Sequence, residues 1–228
     1  MDWQQGAKTR IDGLDPLFWL NHLHWRDWEE NPERAHERPL VFSRWGGLGN
    51  HRYQIGFSGD THSTWSSLAF QPFFTATAGN VGYGWWSHDI GGHQPGQVDP
   101  EMYLRWIQWG ALSPILRTHG TKNPLAERRI WAFGAEILSH ARAMFHLRMK
   151  LVPYLYGAAR EAYDTGVSMC RPLYIDTPAH EEAYAATHEY MLGEDLLCAP
   201  VTTPISHASG LAYTRVWIPF GTWYHWFS

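Results

Sequence analysis

What most constrains this chain is a repeated alternation of short apolar runs, polar tips and helix-length stretches. Residues 39–42 form an apolar run that stops at Ser43, Arg44 and a glycine-rich turn. Residues 53–57 form a second run, stopping at Ser58, Gly59 and Asp60. Residues 81–86 form a third, ending in Ser87, His88, Asp89 and a Gly-Gly pair, and residues 113–116 a fourth, ending in Arg117, Thr118, His119 and Gly120. Short apolar runs bounded by turn residues read as buried strands. Between them, residues 65–78 are apolar with helical breadth, and Asp-Pro pairs at 15–16 and 99–100 open two more helices. Asp accepts hydrogen bonds from the free amides of a first turn, and proline's fixed φ suits the first helical residue. The first of these helices is expected to end near Asn31-Pro32 and the second near Leu112. Strands alternating with helices call for an α/β fold with a parallel sheet. Polar tips at the C-terminal ends of successive strands are the layout of a (β/α)8 TIM barrel. With four of eight strands visible, the expected fold is an incomplete barrel, the later strands only, followed by part of an all-β domain.

Residues 127–150 and 153–165 read as helices, with Gly166 as the stop. From Cys170 the pattern changes to short strands and turns: residues 196–201 and 215–219 are strand-like, and 220–224 look like a hairpin turn and return strand. The expected organisation is a C-terminal part of a catalytic barrel over 1–168 and the start of a C-terminal β-sandwich domain over 169–228. The first residues have no basic segment leading into an apolar one and so form no signal peptide. They read as a loop that follows a preceding strand, which leads to the expectation that the chain is a fragment.

Composition removes several function classes. A net charge of −4 without a basic stripe argues against a nucleic-acid partner. No apolar run reaches the ~18 residues of a membrane helix. The 2 cysteines, Cys170 and Cys198, have neither metal nor redox spacing and read as core thiols. His22 and His24 stand two apart on a helix and do not share a face, so no metal and no cofactor are expected. The 14 Trp residues are an unusual share. Most are expected to pack in the core, but indole faces also suit the C–H faces of sugars.

Two carboxylates stand out by position, Asp60 at a strand tip and Asp2 at what would be the tip of a preceding strand. Paired carboxylates, one ionised and one protonated, are the recurrent solution for glycosidic bond cleavage. The alternative for each is a turn or cap carboxylate, and chain spacing alone does not pair them. Asp89 is a third strand-tip carboxylate, able to accept from ligand hydroxyls or simply to close a turn. Arg44 could orient a carboxylate or pair with one structurally. His119 could donate to a hydroxyl or serve as a satisfied structural histidine.

At these residues the chain resembles glycoside hydrolase family 31, the α-glucosidase and α-xylosidase family. Ser43-Arg44, Arg52-Tyr53 and Gly59-Asp60 are similar to its acid/base segment. His88-Asp89-Ile90-Gly91-Gly92 is similar to its sugar-binding aspartate motif, and Arg105-Trp106-Ile107-Gln108-Trp109-Gly110 with Arg117-Thr118-His119 to its late-barrel segment. Residues 191–197 and 221–224 are similar to its C-terminal β domain. The resemblance implies Asp2 as nucleophile and Asp60 as general acid/base, with Arg44, Asp89 and His119 holding the sugar. It implies a retaining mechanism with carboxyl groups about 5–5.5 Å apart. Two departures bear on the substrate: Trp3, Gln4 and Gln5 follow Asp2 where the family has a Met-Asn-Glu-like sequence, and His93 replaces an aromatic after the Gly-Gly pair.

The leading expectation is therefore a retaining α-glycoside hydrolase fragment that cleaves terminal α-linked sugars from an oligosaccharide or glycoside by double displacement. The alternative is a non-catalytic or vestigial carbohydrate-binding protein that keeps the sugar contacts; a third reading is another sugar-acting barrel enzyme, such as a lyase or transglycosylase. Half a barrel leaves strand edges and apolar helix faces uncovered, so a complementing N-terminal half is an expected partner, and an isolated chain is expected to be unstable or to aggregate.

Overall fold

The computed structural model describes residues 1–2, 6–53, 55–94 and 96–227. Trp3, Gln4 and Gln5, which follow Asp2, lie outside the described residues, as does Gln54 of the second apolar run. Helix α1 (Pro16–Glu30) starts where the Asp-Pro pair puts it, with the Asp15 carboxylate accepting from the Leu17 amide at 2.7 Å. Strand β1 (Phe42–Ser43) pairs in parallel with β2 (Ile55–Phe57), which pairs in parallel with β3 (Trp86–Ser87). Parallel bridges from Ser87 to Ile115 and from Ile90 to Thr118 set the fourth apolar run beside β3. The sheet order thus follows the chain, as in a barrel. Among the described residues the sheet does not close, and the fold is an incomplete TIM barrel followed by a β domain.

Helix α2 (Trp65–Ala78) connects β2 to β3, and α3 (Pro100–Ala111) follows β3, capped by Asp99 on the Met102 amide at 2.8 Å. These are the crossover helices that a parallel sheet requires. Gly56 shows how tightly the sheet is covered: a Cβ there would lie 2.6 Å from the Tyr83 ring and 2.7 Å from the Trp86 ring. Two further helices, α4 (Ala135–Lys150) and α5 (Val152–Thr165), lead to an antiparallel sheet of β4 (Cys170–Arg171), β5 (Tyr190–Leu192) and β6 (Leu196–Cys198), with the short α6 (Glu181–Ala185) between β4 and β5. One core joins the two parts. Leu68 of α2 and Met102, Tyr103, Trp106, Ile107 and Trp109 of α3 pack in the same cluster as Leu155 of α5 and Cys170, Tyr190 and Leu192 of the antiparallel sheet. Trp106 and Trp109 are in this core and Trp86 is buried in a separate cluster with Ala78 and Tyr83, whereas Trp19, Trp45, Trp85, Trp131 and Trp226 are exposed.

Several elements differ from expectation. Residues 127–150 are not one helix: Gly134, at φ 90° and ψ 170°, separates a 3-10 turn (Ile130–Phe133) from α4. Residues 81–86 are a turn for most of their length, because Gly82 in the left-handed region closes a 3-10 turn (Gly79–Val81) and only Trp86 reaches the sheet. Residues 215–219 and 220–224 form no strands. The first of these is held by side chains instead, the Trp217 amide donating to Glu189 Oε1 at 2.9 Å and His188 Nε2 lying 2.6 Å from the Arg215 carbonyl.

Candidate active site

The C-terminal tips of β1, β2, β3 and the fourth run bring all five sequence-derived residues to one end of the sheet. The Arg44 amide donates to the Met1 carbonyl at 3.2 Å, which lays residues 1–2 beside β1 and sets Asp2 next to the Arg44 side chain. Arg44 is largely buried and lies 5.8 Å from the centre of the Phe57 ring. Its guanidinium serves two carboxylates: Nε donates to Asp2 Oδ1, and Nη2 donates to Asp60 Oδ1 at 2.7 Å. Chain spacing left the two acids unpaired; the fold joins them through one rigid, planar fork. Asp60 is half exposed, its side chain keeping 40% of its accessibility. Gly59 before it has φ 70°, and a Cβ there would lie 2.8 Å from Arg44 Nη1, so glycine both makes the turn and admits the guanidinium.

Asp89 and His119 form a second group, on the tips of β3 and the fourth run. The Asp89 side chain is only 1% exposed, and Arg117 Nη2 donates to its Oδ1. Burial pushes the Asp89 carboxyl above its usual range, against the pull of Arg117, His119 and His93. Burial also pushes His119 below the usual imidazole range, with Asp89 opposing. Arg117 lies over Phe42 and Phe57, at 5.0 and 5.3 Å from the ring centres, so the floor of the site is aromatic.

His93 links the two groups. Its Nε2 lies 3.6 Å from Asp60 Oδ1 and its Nδ1 lies 3.4 Å from Asp89 Oδ2, while its ring stacks on His119 with centres 4.9 Å apart. Sequence reasoning saw His93 as a departure and gave it no role. It also passed over Arg117 and Arg128. Arg128 donates to four backbone carbonyls: His119 at 3.1 Å, Gly91 at 3.2 Å, Glu127 at 2.8 Å, and Gly92. It ties the Asp89 loop to the His119 loop. No periodicity or spacing signals a side chain that acts on carbonyls thirty-odd residues away. Beneath the site, Trp106 Nε1 donates to His88 Nδ1 at 3.0 Å, and His88 Nε2 faces Ser113 Oγ at 3.0 Å, so the buried imidazole is held as the neutral Nε2-H tautomer. Among the described residues, one group of His, Cys, Asp or Glu brings three donor atoms within 4.8 Å of one another, namely Asp89, His93 and His119. Around His119, residues 118–124 and 126–129 line a cavity of about 530 Å³.

Comparison with known proteins shows the family to which this fold belongs. The Glycosyl hydrolases family 31 TIM-barrel domain matches residues 7–158, and the Glycosyl hydrolase family 31 C-terminal domain matches residues 166–228. The chain is 34% identical over 171 residues to neutral alpha-glucosidase C of Mus musculus, an alignment that covers 75% of this chain and 19% of that protein. It superposes with a TM-score of 0.70 on a family 31 alpha-xylosidase from a soil metagenome complexed with xylose, at 31% identity, covering 75% of this chain and 29% of the other. On the cycloalternan-degrading enzyme of Trueperella pyogenes in complex with a covalent intermediate, the TM-score is 0.79 at 26% identity, covering 90% and 30%. The chain therefore spans about a fifth to a third of the length of these relatives.

Proposed function

The chain belongs to glycoside hydrolase family 31, and on that premise we propose that it carries the paired carboxylates of a retaining α-glycosidase acting on terminal α-linked sugars. The observation that carries the reading is the Arg44 guanidinium shared by Asp2 and Asp60. A shared cation brings two carboxylates to one place, and a double displacement at a single anomeric carbon needs such a pair. Asp2 attacks that carbon and forms a glycosyl ester. Asp60 gives its proton to the departing glycosidic oxygen, then takes one from the water that attacks the ester. Asp89 accepts from sugar hydroxyls, its second oxygen held by Arg117, and His119 donates to a hydroxyl from the opposite loop. The covalent intermediate in the Trueperella pyogenes relative supports the two-step route. Glucose, xylose, galactose and sulfoquinovose remain candidates, with His93 and the segment after Asp2 as the differences that bear on the choice.

We place the boundary between the barrel and the β domain at residues 168 and 169, supported by the antiparallel sheet that starts at Cys170. A complementing N-terminal half is the proposed partner, supported by exposed Met149 on α4 and exposed Tyr156 and Tyr163 on α5.

The test is the dependence on leaving group. In the parent, aryl α-glycosides with poor leaving groups should turn over. Asp60→Ala should lower kcat/KM about 10²- to 10⁴-fold for these substrates and far less for a dinitrophenyl glycoside, which leaves without a proton. Sugar binding without hydrolysis in the parent would favour the carbohydrate-binding alternative. A loss independent of leaving group would remove Asp60 from the acid role.

A further inference from the structure

One nitrogen in the site lacks a partner. His93 Nδ1 is buried and makes no hydrogen bond, although Asp89 Oδ2 is 3.4 Å away. That distance is too long for a good N–H···O bond. It is close to the edge of a tetrahedron of ligands around Zn²⁺, whose bonds to nitrogen and oxygen are about 2.0–2.2 Å. His119 supplies a third donor, and all three ligand atoms lie within 4.8 Å of one another. Two imidazoles and a carboxylate suit borderline divalent ions.

The surroundings are those of a supported site. Arg117 holds Asp89 Oδ1, which leaves Oδ2 turned toward His93. His93 Nε2 lies 3.6 Å from Asp60 Oδ1, beyond hydrogen-bond length, so a carboxylate faces the ring nitrogen that the ion leaves free. His119 is exposed, so its ring has room to turn from its stack on His93 and close the remaining gap.

We propose that Asp89, His93 and His119 form a binding site for a divalent transition-metal ion, with Zn²⁺ and Co²⁺ as fitting occupants. The ion takes no part in bond cleavage. It sits where Asp89 and His119 would meet sugar hydroxyls, so it excludes the sugar and acts as a reversible brake. That consequence rests on the glycosidase reading; binding of the ion does not.

The test therefore reads binding without turnover. Co²⁺ is titrated into the chain and followed by its visible absorption, and Zn²⁺ by calorimetry, for the parent, His93→Phe and His119→Gln. Cys170 and Cys198 are buried and do not compete. The expected result is one equivalent bound by the parent and at least tenfold weaker binding in each variant, with near-UV circular dichroism unchanged. His93→Phe keeps a ring in place and removes the donors, and His119→Gln alters an exposed side chain, so at least one folded variant reports. Parent-like Zn²⁺ affinity in a folded variant, or no stoichiometric ion in the parent, overturns the proposal. An adventitious ion only, held by others of the 14 histidines, would show as the first of these results. Neither result touches the glycosidase reading, and absence of hydrolysis touches neither.

Discussion

Replacing Arg128 with methionine should destabilise the chain more than its position in a connecting loop suggests. The side chain donates to four carbonyls, and two of them, those of Gly91 and Gly92, belong to buried residues. Hydrogen bonds to a charged donor are worth about 1.5–3 kcal/mol each. Arg128 is only partly buried, and water can reach the exposed His119 and the partly exposed Glu127, so only the two glycine carbonyls carry near-full weight. Their sum, reduced for relaxation of the loop, is about 3 kcal/mol. At about 2–4 °C per kcal/mol for a chain of this size, Arg128→Met should lower Tm by about 6–12 °C. Arg128→Lys should recover little, because an ammonium cannot span carbonyls of two loops as a planar guanidinium does. Differential scanning calorimetry of parent, Arg128→Met, Arg128→Lys and the neighbouring Arg129→Met reads the effect. Arg129 pairs with Glu127 at the surface and should melt with the parent. If Arg128→Met melted within about 2 °C of Arg129→Met, the claim that Arg128 holds the two loops together would fail.

Other outcomes follow from the same structure. Burial raises Cys170 well above the usual thiol range and holds Cys198 at about 12; native chain should therefore stay unreactive toward a thiol reagent at pH 8 and titrate both thiols only after denaturation. Glu189 Oε2 is buried without a partner, and burial raises the carboxyl above its usual range. A raised folded-state value means that folding is penalised as pH rises above the unfolded carboxyl range, so Glu189→Gln should raise Tm at pH 8 and the gain should vanish toward pH 4. Leu68 is fully buried between α2 and α3, and Leu68→Ala should cost about 2–5 kcal/mol in denaturant unfolding.

Legibility followed how local the physics was. The Asp15-Pro16 and Asp99-Pro100 helix starts were readable because capping is decided within a few residues. The order of the parallel strands was readable because tip and helix alternate along the chain. The fates of residues 81–86 and 127–150 were not, since Gly82 and Gly134 adopt positive φ where an apolar or helical pattern runs on around them. In the candidate site, Asp2, Arg44, Asp60, Asp89 and His119 stood out in the sequence because each ends an apolar run or matches a motif. Which of them touch was hidden: Arg44 bridging Asp2 and Asp60 is a contact over 42 and 16 positions. His93 and Arg128 were missed for a related reason. The first matters through the separation of its two nitrogens from two carboxylates, the second through backbone carbonyls that carry no sequence signature.

Covalent trapping tests the central claim most directly. A 5-fluoro-α-glycosyl fluoride slows both displacement steps but leaves without a proton, so the glycosyl ester accumulates. Intact mass should show one sugar added per chain, peptide mapping should place it on Asp2, and Arg44→Met should suppress it. No adduct, or an adduct on Asp60 or Asp89 instead, would contradict the account.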